Sequence, residues 1–356
     1  MRPGYQTTLK KQFKLLCLHV CRGLGLFYLV RESGWRSRRL LILAYHGFSL
    51  LDEHLWYPEL FLPAPEFESR LASLSEGGYT VLPLDNALTK LYEGILPEKS
   101  VVITVDDGNY DFYVKAFPLL QRYGFPATVY LTTYYCDRNL PLFNHICSYM
   151  LWKCRGRVVK SSGLTDSIAE LDLREPQTRL AAFESLIRFT EEKRFSTIEK
   201  DQFARKLARV LSLDYGEFLR MRLLQRMSAG EVAAIAAAGI DVQLHTHRHR
   251  TPFDRSLFRK EMEENRSRIV EMTSINPNHF CYPSGVYRSE FLPWLTEMGI
   301  ESATTCVPGL ASANINPLLL PRFLDGNDVS PIEFEGWASG LSSYITRDAR
   351  TIHAAN

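Results

Sequence analysis

Two aspartates stand side by side, Asp106 and Asp107, at the end of the apolar run VVITV and directly before Gly108. Like charges that close repel, and removing carboxylates from water is costly, so the pair implies a bound cation or two separate tasks. Far along the chain, LHTHRHRTP at 244–252 sets out His245, His247 and His249, three of the nine histidines in the protein. Neutral imidazole and carboxylate are the ligands that zinc and similar divalent ions take. Two histidines and one aspartate leave coordination positions for water and a substrate, while the second aspartate is free to accept a proton. The residue types therefore point to metal-assisted hydrolysis. Neither string is specific alone, since DDG occurs in many turns; the combination carries the weight. A two-histidine, one-carboxylate set also serves iron(II) oxygenases, a rival that the sequence leaves standing.

Such residues work together only if the fold carries them to one place, and the pattern of elements does so. From residue 40 strands and helices alternate. LLILAYH, 40–46, reads as a strand, PEFESRLASLSEGG, 65–78, as a helix stopping at glycine, and YTVLPL and VVITVDD as strands. DFYVKAFPLLQRYG, 111–124, reads as one helix and ATVYLTT, 127–133, as a strand. Between 137 and 224 the pattern gives way to charged segments of helical spacing, read as a helical insertion. The alternation resumes at the capping-box pattern Ser228-Ala229-Gly230-Glu231 before EVAAIAAAG, and runs on through IDVQLHTH, a long helix, HFCYP, SEFLPWLTEMG and ESATTC. Repeated βα units predict an α/β protein with a parallel sheet or barrel, whose chemistry sits at the C-terminal strand ends. The expected layout is a basic N-terminal helical segment at 1–39, a barrel from 40–136 and 225–335, the insertion at 137–224 and a tail at 336–356.

Composition bounds the function. With 46% apolar and 23% charged residues in 356, the chain is an ordinary folded protein, and a net charge of +2 argues against nucleic acid as a partner. Seven cysteines without a repeating spacing suit a reducing compartment rather than a disulfide framework. The apolar stretch LLCLHVCRGLGLFYLV, 15–30, is broken by His19 and Arg22, too short for a membrane span and not followed by the usual small-residue cleavage pattern. Lys10, Lys11, Lys14, Arg31, Arg36, Arg38 and Arg39 surround it against Glu32 alone. The favoured expectation is a helix packed on the domain. The alternative is a helix resting on an anionic membrane surface. Together these features predict a cytoplasmic protein, with peripheral contact at the inner membrane surface through residues 1–39. Cys17, His19 and Cys21 read as helix residues, since no second ligand pair sits nearby.

TVDDG, with His245-Thr246-His247-Arg248-His249, resembles the first two motifs of the polysaccharide deacetylases, the NodB-homology group of carbohydrate esterase family four. CYPSG, 281–285, sits where that family has a third motif, R-x-P-Y-G. The resemblance spans roughly 40–325 apart from the insertion. It implies an irregular (β/α) barrel and metal-dependent N-deacetylation of an amino sugar, in a polysaccharide or in a lipid- or nucleotide-linked precursor, with Zn²⁺ the expected ion. By the same resemblance Asp106 is the general base, and Asp107, His245 and His249 are the metal ligands. Strand alternation alone would place His247 on the same face as its neighbours, whereas the family spacing excludes it. Members that deacetylate exported poly-N-acetylglucosamine are circularly permuted and carry an early Tyr-His; Tyr45-His46 matches it and gives His46 the acid role. His353 is a poor candidate for that role, lying in the expected tail. The third motif departs from the pattern. Cys281 replaces the arginine that holds the base, and Ser284 replaces a tyrosine whose backbone N–H helps bind the oxyanion. Any non-proline residue supplies that N–H. Arg322 is open to two readings, a substitute partner for Asp106 or a surface arginine. The degraded motif also keeps an inactive glycan-binding relative as an alternative, and Tyr282, Trp294 and Trp56 are read as core first and sugar platforms second.

Overall fold

The computed structural model describes residues 9–161, 164–165 and 169–345. The chain divides into two compact units, one of Asn139–Gln225 and one of Leu9–Arg138 with the residues from Arg226 onward. The larger unit begins with helices α1 (Leu9–Gly23) and α2 (Leu26–Arg31) and strand β1 (Leu41–Tyr45). α3 (Ala64–Glu76), β2 (Thr80–Val81), α4 (Leu84–Glu93), β3 (Ser100–Asp107), α5 (Phe117–Tyr123) and β4 (Thr128–Leu131) follow. The smaller unit holds α6 (Phe143–Lys153), α7 (Pro176–Glu192), α8 (Thr197–Val210) and α9 (Tyr215–Arg220). The larger unit then continues with α10 (Ala229–Ala237), β5 (Asp241–Leu244), α11 (Arg255–Thr273), β6 (His279–Cys281), α12 (Phe291–Glu297), β7 (Ser302–Thr304), β8 (Phe323–Leu324) and α13 (Pro331–Ser339).

The eight strands form one parallel sheet in the order β7-β6-β5-β4-β3-β1-β8, with β2 beside the start of β3. The sheet curls until its edges meet. Leu320, just before β8, bridges to Thr304 of β7, donating to Ala303 O at 2.9 Å and accepting from Thr305 N at 2.9 Å. This is the irregular barrel expected for a NodB-type fold.

Strand parity explains how the barrel fills. Leu41, Leu43 and Tyr45 of β1 and Val101, Ile103 and Val105 of β3 belong to the large core shared with the helices. Their alternates Ile42 and Val102 join Tyr130, Cys281 and Leu320 in a second cluster on the other face. The period-2 alternation of a strand thus sorts one apolar run into two layers. Asp106 continues the second parity, so the sheet aims it inward with Thr104.

Several expectations are corrected. The helix read across 111–124 is a π-turn at Phe112–Ala116 followed by α5, because Pro118 has no N–H to continue an α-helical ladder. The insertion also carries an antiparallel ribbon, Val158–Lys160 with Glu170–Asp172, beside its helices. Residues 336 onward do not start as a tail: α13 runs to Ser339, with Trp337 and Ala338 buried in the main core. The favoured expectation for the N-terminal segment, a helix packed on the domain, holds from Leu9 onward: it belongs to the barrel unit, with Leu18 and Phe27 packed against Ile332 and Leu341. Residues 346–356, His353 among them, lie outside the described residues.

The capping box forms as the pattern requires. Ser228 Oγ accepts from Glu231 N at 3.4 Å, and Glu231 Oε2 accepts from Ser228 N at 2.7 Å. Ser228→Ala removes one acceptor from the end of α10 and is expected to cost about 1 kcal/mol, read as a lower denaturant midpoint with an unchanged slope.

Candidate active site

The candidate catalytic and metal-ligating residues sit at or beyond the C-terminal ends of parallel strands, while Arg322 directly precedes β8. His46 follows β1, Asp106 and Asp107 end β3, His245 follows β5, and Cys281 ends β6. β3 is buried along its whole length, so its two carboxylates are placed where water is scarce and need partners.

Asp106 has one. Arg322 grips it with both ends of the guanidinium, Nη1 to Oδ1 and Nη2 to Oδ2, each at 2.7 Å. Arg322 is wholly buried, and its remaining donors reach Thr305 O at 3.0 Å and Thr104 Oγ1 at 3.1 Å. The surface-arginine reading is therefore excluded, and the guanidinium arrives from the strand entering at β8 instead of from position 281. Cys281 fills the vacated place, its Sγ 3.1 Å from Arg322 Nη2 and 3.5 Å from Asp106 Oδ2. Burial pushes the Asp106 carboxyl up, but the charge and hydrogen bonds of Arg322 outweigh it and hold the group at about 2. His46 Nε2 lies 3.6 Å from Asp106 Oδ2, and burial, partly offset by the two aspartates, keeps its pKa below the usual 6.5.

Asp107 turns the other way. Its backbone is left-handed, φ 77°, which breaks strand parity and swings its carboxylate toward the histidines. Gly108 makes this turn possible: its own φ is 75° and a Cβ there would strike Leu131. Asp107 Oδ1 lies 3.4 Å from His245 Nε2 and 3.2 Å from His249 Nε2. It is buried and accepts no hydrogen bond among the described residues. His245 Nδ1 sits 2.8 Å from Cys281 O, a contact that uses the ring's proton there and leaves Nε2 with a lone pair facing a carboxylate oxygen. Three electron-rich atoms converging without a donor between them are what a divalent cation satisfies. Burial disfavours a charged His245, while Cys281 and Asp107 act against it and raise its pKa well above the usual value. His249 is held neutral, its pKa lowered to about 4, chiefly by burial. The residues present fit a metal.

His247 is not part of this group. Thr246 is left-handed, φ 61°, and ends the strand alternation, so His247 Nδ1 goes to Thr133 Oγ1 at 2.8 Å while the loop returns His249 to Asp107. Glu261 fixes that loop, accepting from Arg248 N at 2.8 Å and Arg250 Nε at 2.8 Å. Ser284 is exposed, three residues beyond Cys281, and left-handed at φ 57° in the turn Pro283–Gly285. Tyr282 is fully buried with its hydroxyl donating to Leu318 O, Trp56 is buried, and Trp294 packs on Phe258 and Phe291, so the core reading holds for all three. Cys17, His19 and Cys21 lie on α1, away from any cluster of metal-ligating groups among the described residues.

Sequence reasoning missed three supports. Arg226, buried, sets Nη2 3.2 Å from Asp107 Oδ2 and bonds Asn109 Oδ1, while Asn109 Nδ2 donates to His46 O at 3.1 Å. One guanidinium thereby orients Asp107 and, through Asn109, the His46 backbone. Asn265 of α11 accepts from His245 N at 2.9 Å and donates to Leu131 O at 3.0 Å. Only Asn109 had a signal, its place directly after DDG.

A family model described as polysaccharide deacetylase matches residues 93–161 and 215–303, ranges that hold Asp106, Asp107, His245 and His249 but neither His46 nor Arg322. YxkH of Bacillus subtilis, named for the polysaccharide deacetylases, is 37% identical over 104 residues, 28% of this chain and 35% of its own length. The poly-beta-1,6-N-acetyl-D-glucosamine N-deacetylase of Escherichia coli K12 is 30% identical over 101 residues, 28% of this chain and 15% of its own. The chain thus spans about a third or less of the curated relatives it matches. In fold it resembles the Streptococcus pyogenes deacetylase PplD, with a TM-score of 0.56 at 18% identity over 86% of this chain and 97% of that one. IcaB from Ammonifex degensii gives a TM-score of 0.53 at 17% identity, over 85% and 97%.

Two outcomes test this geometry. Asp107→Ala, His245→Ala and His249→Ala should each lose a stoichiometric divalent ion by elemental analysis, because three protein ligands leave none to spare, while His247→Ala retains it. Arg322→Met strands a buried carboxylate and should cost about 3–5 kcal/mol in denaturant unfolding.

Proposed function

We propose that the chain, which matches the polysaccharide deacetylase family over residues 93–161 and 215–303, is a metal-dependent hydrolase of that family removing N-acetyl groups from an amino sugar. The substrate class would be a polysaccharide or its lipid- or nucleotide-linked precursor. The observation that carries the reading is the orphaned, buried Asp107 Oδ1 between two imidazole nitrogens, with an ionised second carboxylate alongside.

Asp107, His245 and His249 would hold the cation, with zinc favoured by a two-imidazole, one-carboxylate donor set. A divalent ion in that seat polarises the acetamide carbonyl and lowers the pKa of water toward about 7. Asp106 is then the proton acceptor. Arg322 keeps it ionised and fixed in direction, and a carboxylate held this low is an adequate base only for an acidified water. The backbone N–H of Ser284 would meet the oxyanion. His46 would deliver a proton to the departing amine. Its depressed pKa makes it a stronger acid once charged, and its place 3.6 Å from Asp106 lets the two share proton traffic.

The test is acetate release over a panel of lipid-linked, nucleotide-linked and polymeric N-acetyl sugars, with elemental analysis of the same sample. Asp106→Asn should still bind metal and fold, at a lower melting temperature because Arg322 loses its carboxylate, and should lose about 10²–10⁴ in rate. His46→Ala should lose most on substrates with poor leaving groups. Oxygen consumption without acetate would instead mark an oxygenase, and saturable sugar binding without turnover under several metals an inactive binding relative.

A further inference from the structure

α1 is amphipathic in an unusual sense, because both its faces are apolar. One face docks on the barrel unit. Leu18 is buried with Phe27, Ile332 and Leu341, Leu15 and Cys21 pack alongside, Lys14 Nζ reaches Glu333 at 3.0 Å, and Lys11 Nζ donates to Asp328 O. The opposite face carries Leu9, Phe13, Leu16, Val20 and, just past the helix, Leu24, each 53–85% exposed. The spacing of four, three, four and four residues makes one continuous stripe along a helix. Tyr28 and Leu29 of α2 extend it, both about 60% exposed. Scattered exposed leucines need no explanation, but a contiguous stripe of seven does.

Charge decides what covers it. No acidic residue precedes Glu32, while Arg2, Lys10, Lys11, Lys14, Arg22 and Arg31 all lie before it. Lys14, Arg22 and Arg31 pair with Glu333, Glu335 and Glu32. Among the described side chains of this segment, the cations left to meet a partner surface are therefore the exposed Arg38 and Arg39, which stacks on Trp35 at 4.1 Å, an aromatic–cation pair of the sort found at lipid interfaces. A second copy packed stripe to stripe would bring these cations against their own kind. An anionic bilayer surface offers both an apolar layer for the stripe and the opposite charge for its rim. α1 has 15 residues, about 22 Å, and no helix among the described residues is long and apolar enough to cross a membrane. It can lie flat in the interface.

We propose that the outer face of α1 and α2 is a docking surface for a lipid bilayer bearing anionic headgroups, with the inner face remaining clamped to the barrel. The protein is then peripheral and held in one orientation. The docking does not depend on the deacetylase chemistry, so either can fail alone.

The test is flotation of the full chain with vesicles of phosphatidylcholine alone and of equimolar phosphatidylcholine and phosphatidylglycerol. The chain should float with the anionic vesicles and be released between about 0.1 M and about 1 M salt, as the Debye length falls from about 10 Å to about 3 Å. Leu16→Glu with Val20→Glu, and separately Phe13→Glu with Leu24→Glu, should each cut the bound fraction by about tenfold or more while keeping the melting temperature and acetate release. Wild-type chain that stays with the buffer in both vesicle types would overturn the proposal. So would equal, salt-insensitive binding to both, or a lowered melting temperature in both variants. A concentration-dependent dimer that the same variants dissolve, without flotation, would assign the stripe to self-association instead.

Discussion

The ion pair between Asp106 and Arg322 is the constraint around which the barrel unit is arranged. A carboxylate with about 1% of its surface exposed has to be neutralised, and here the neutralising group comes from the entrance of the edge strand β8. The pair therefore does two jobs. It keeps Asp106 ionised and directed, and it ties the entrance of β8 to the end of β3, beside the seam where Leu320 joins β7. Isolated buried pairs add little net stability, so the value of this one lies in fixing a geometry.

Much of this was legible in the chain. Alternation of strand and helix located the barrel, because most strands are short apolar runs and several of the helices between them, α4 and α5 among them, end at glycine. The two motifs located the carboxylates and histidines. The partner of Asp106 was only half legible. Arg322 stands in LPRF with nothing in its spacing to tell a buried guanidinium from an exposed one, and 216 residues separate it from Asp106. Arg226 was invisible for the same reason, since its task depends on Met227 N pairing with Gly108 O, a contact between distant parts of the barrel unit. The π-turn before Pro118 escaped because apolar spacing reads the same through one misplaced hydrogen bond.

Local backbone strain accompanies the chemistry. Asp107, Thr246, His249 and Ser284 are all left-handed without being glycine, and each lies where a strand has just ended. Such conformations cost about 1–3 kcal/mol apiece and persist only when surrounding contacts enforce them. Arg226, Asn265 and Glu261 are those contacts. They convert a regular strand end, where side chains would alternate, into a cluster whose side chains converge.

The order in which the chain is made gives the seam at β8 a further meaning. Asp106 leaves the ribosome 216 residues ahead of Arg322, a wait of about 10–40 s at ordinary synthesis rates. Throughout that time the carboxylate has no permanent partner, and β3 cannot be sealed in the interior without stranding a charge. The last strand is thus a completion check: a nascent chain cut short before it retains both signature motifs yet cannot close over them. Surveillance by chaperones and proteases would meet such fragments as open sheets with a water-seeking charge at their centre.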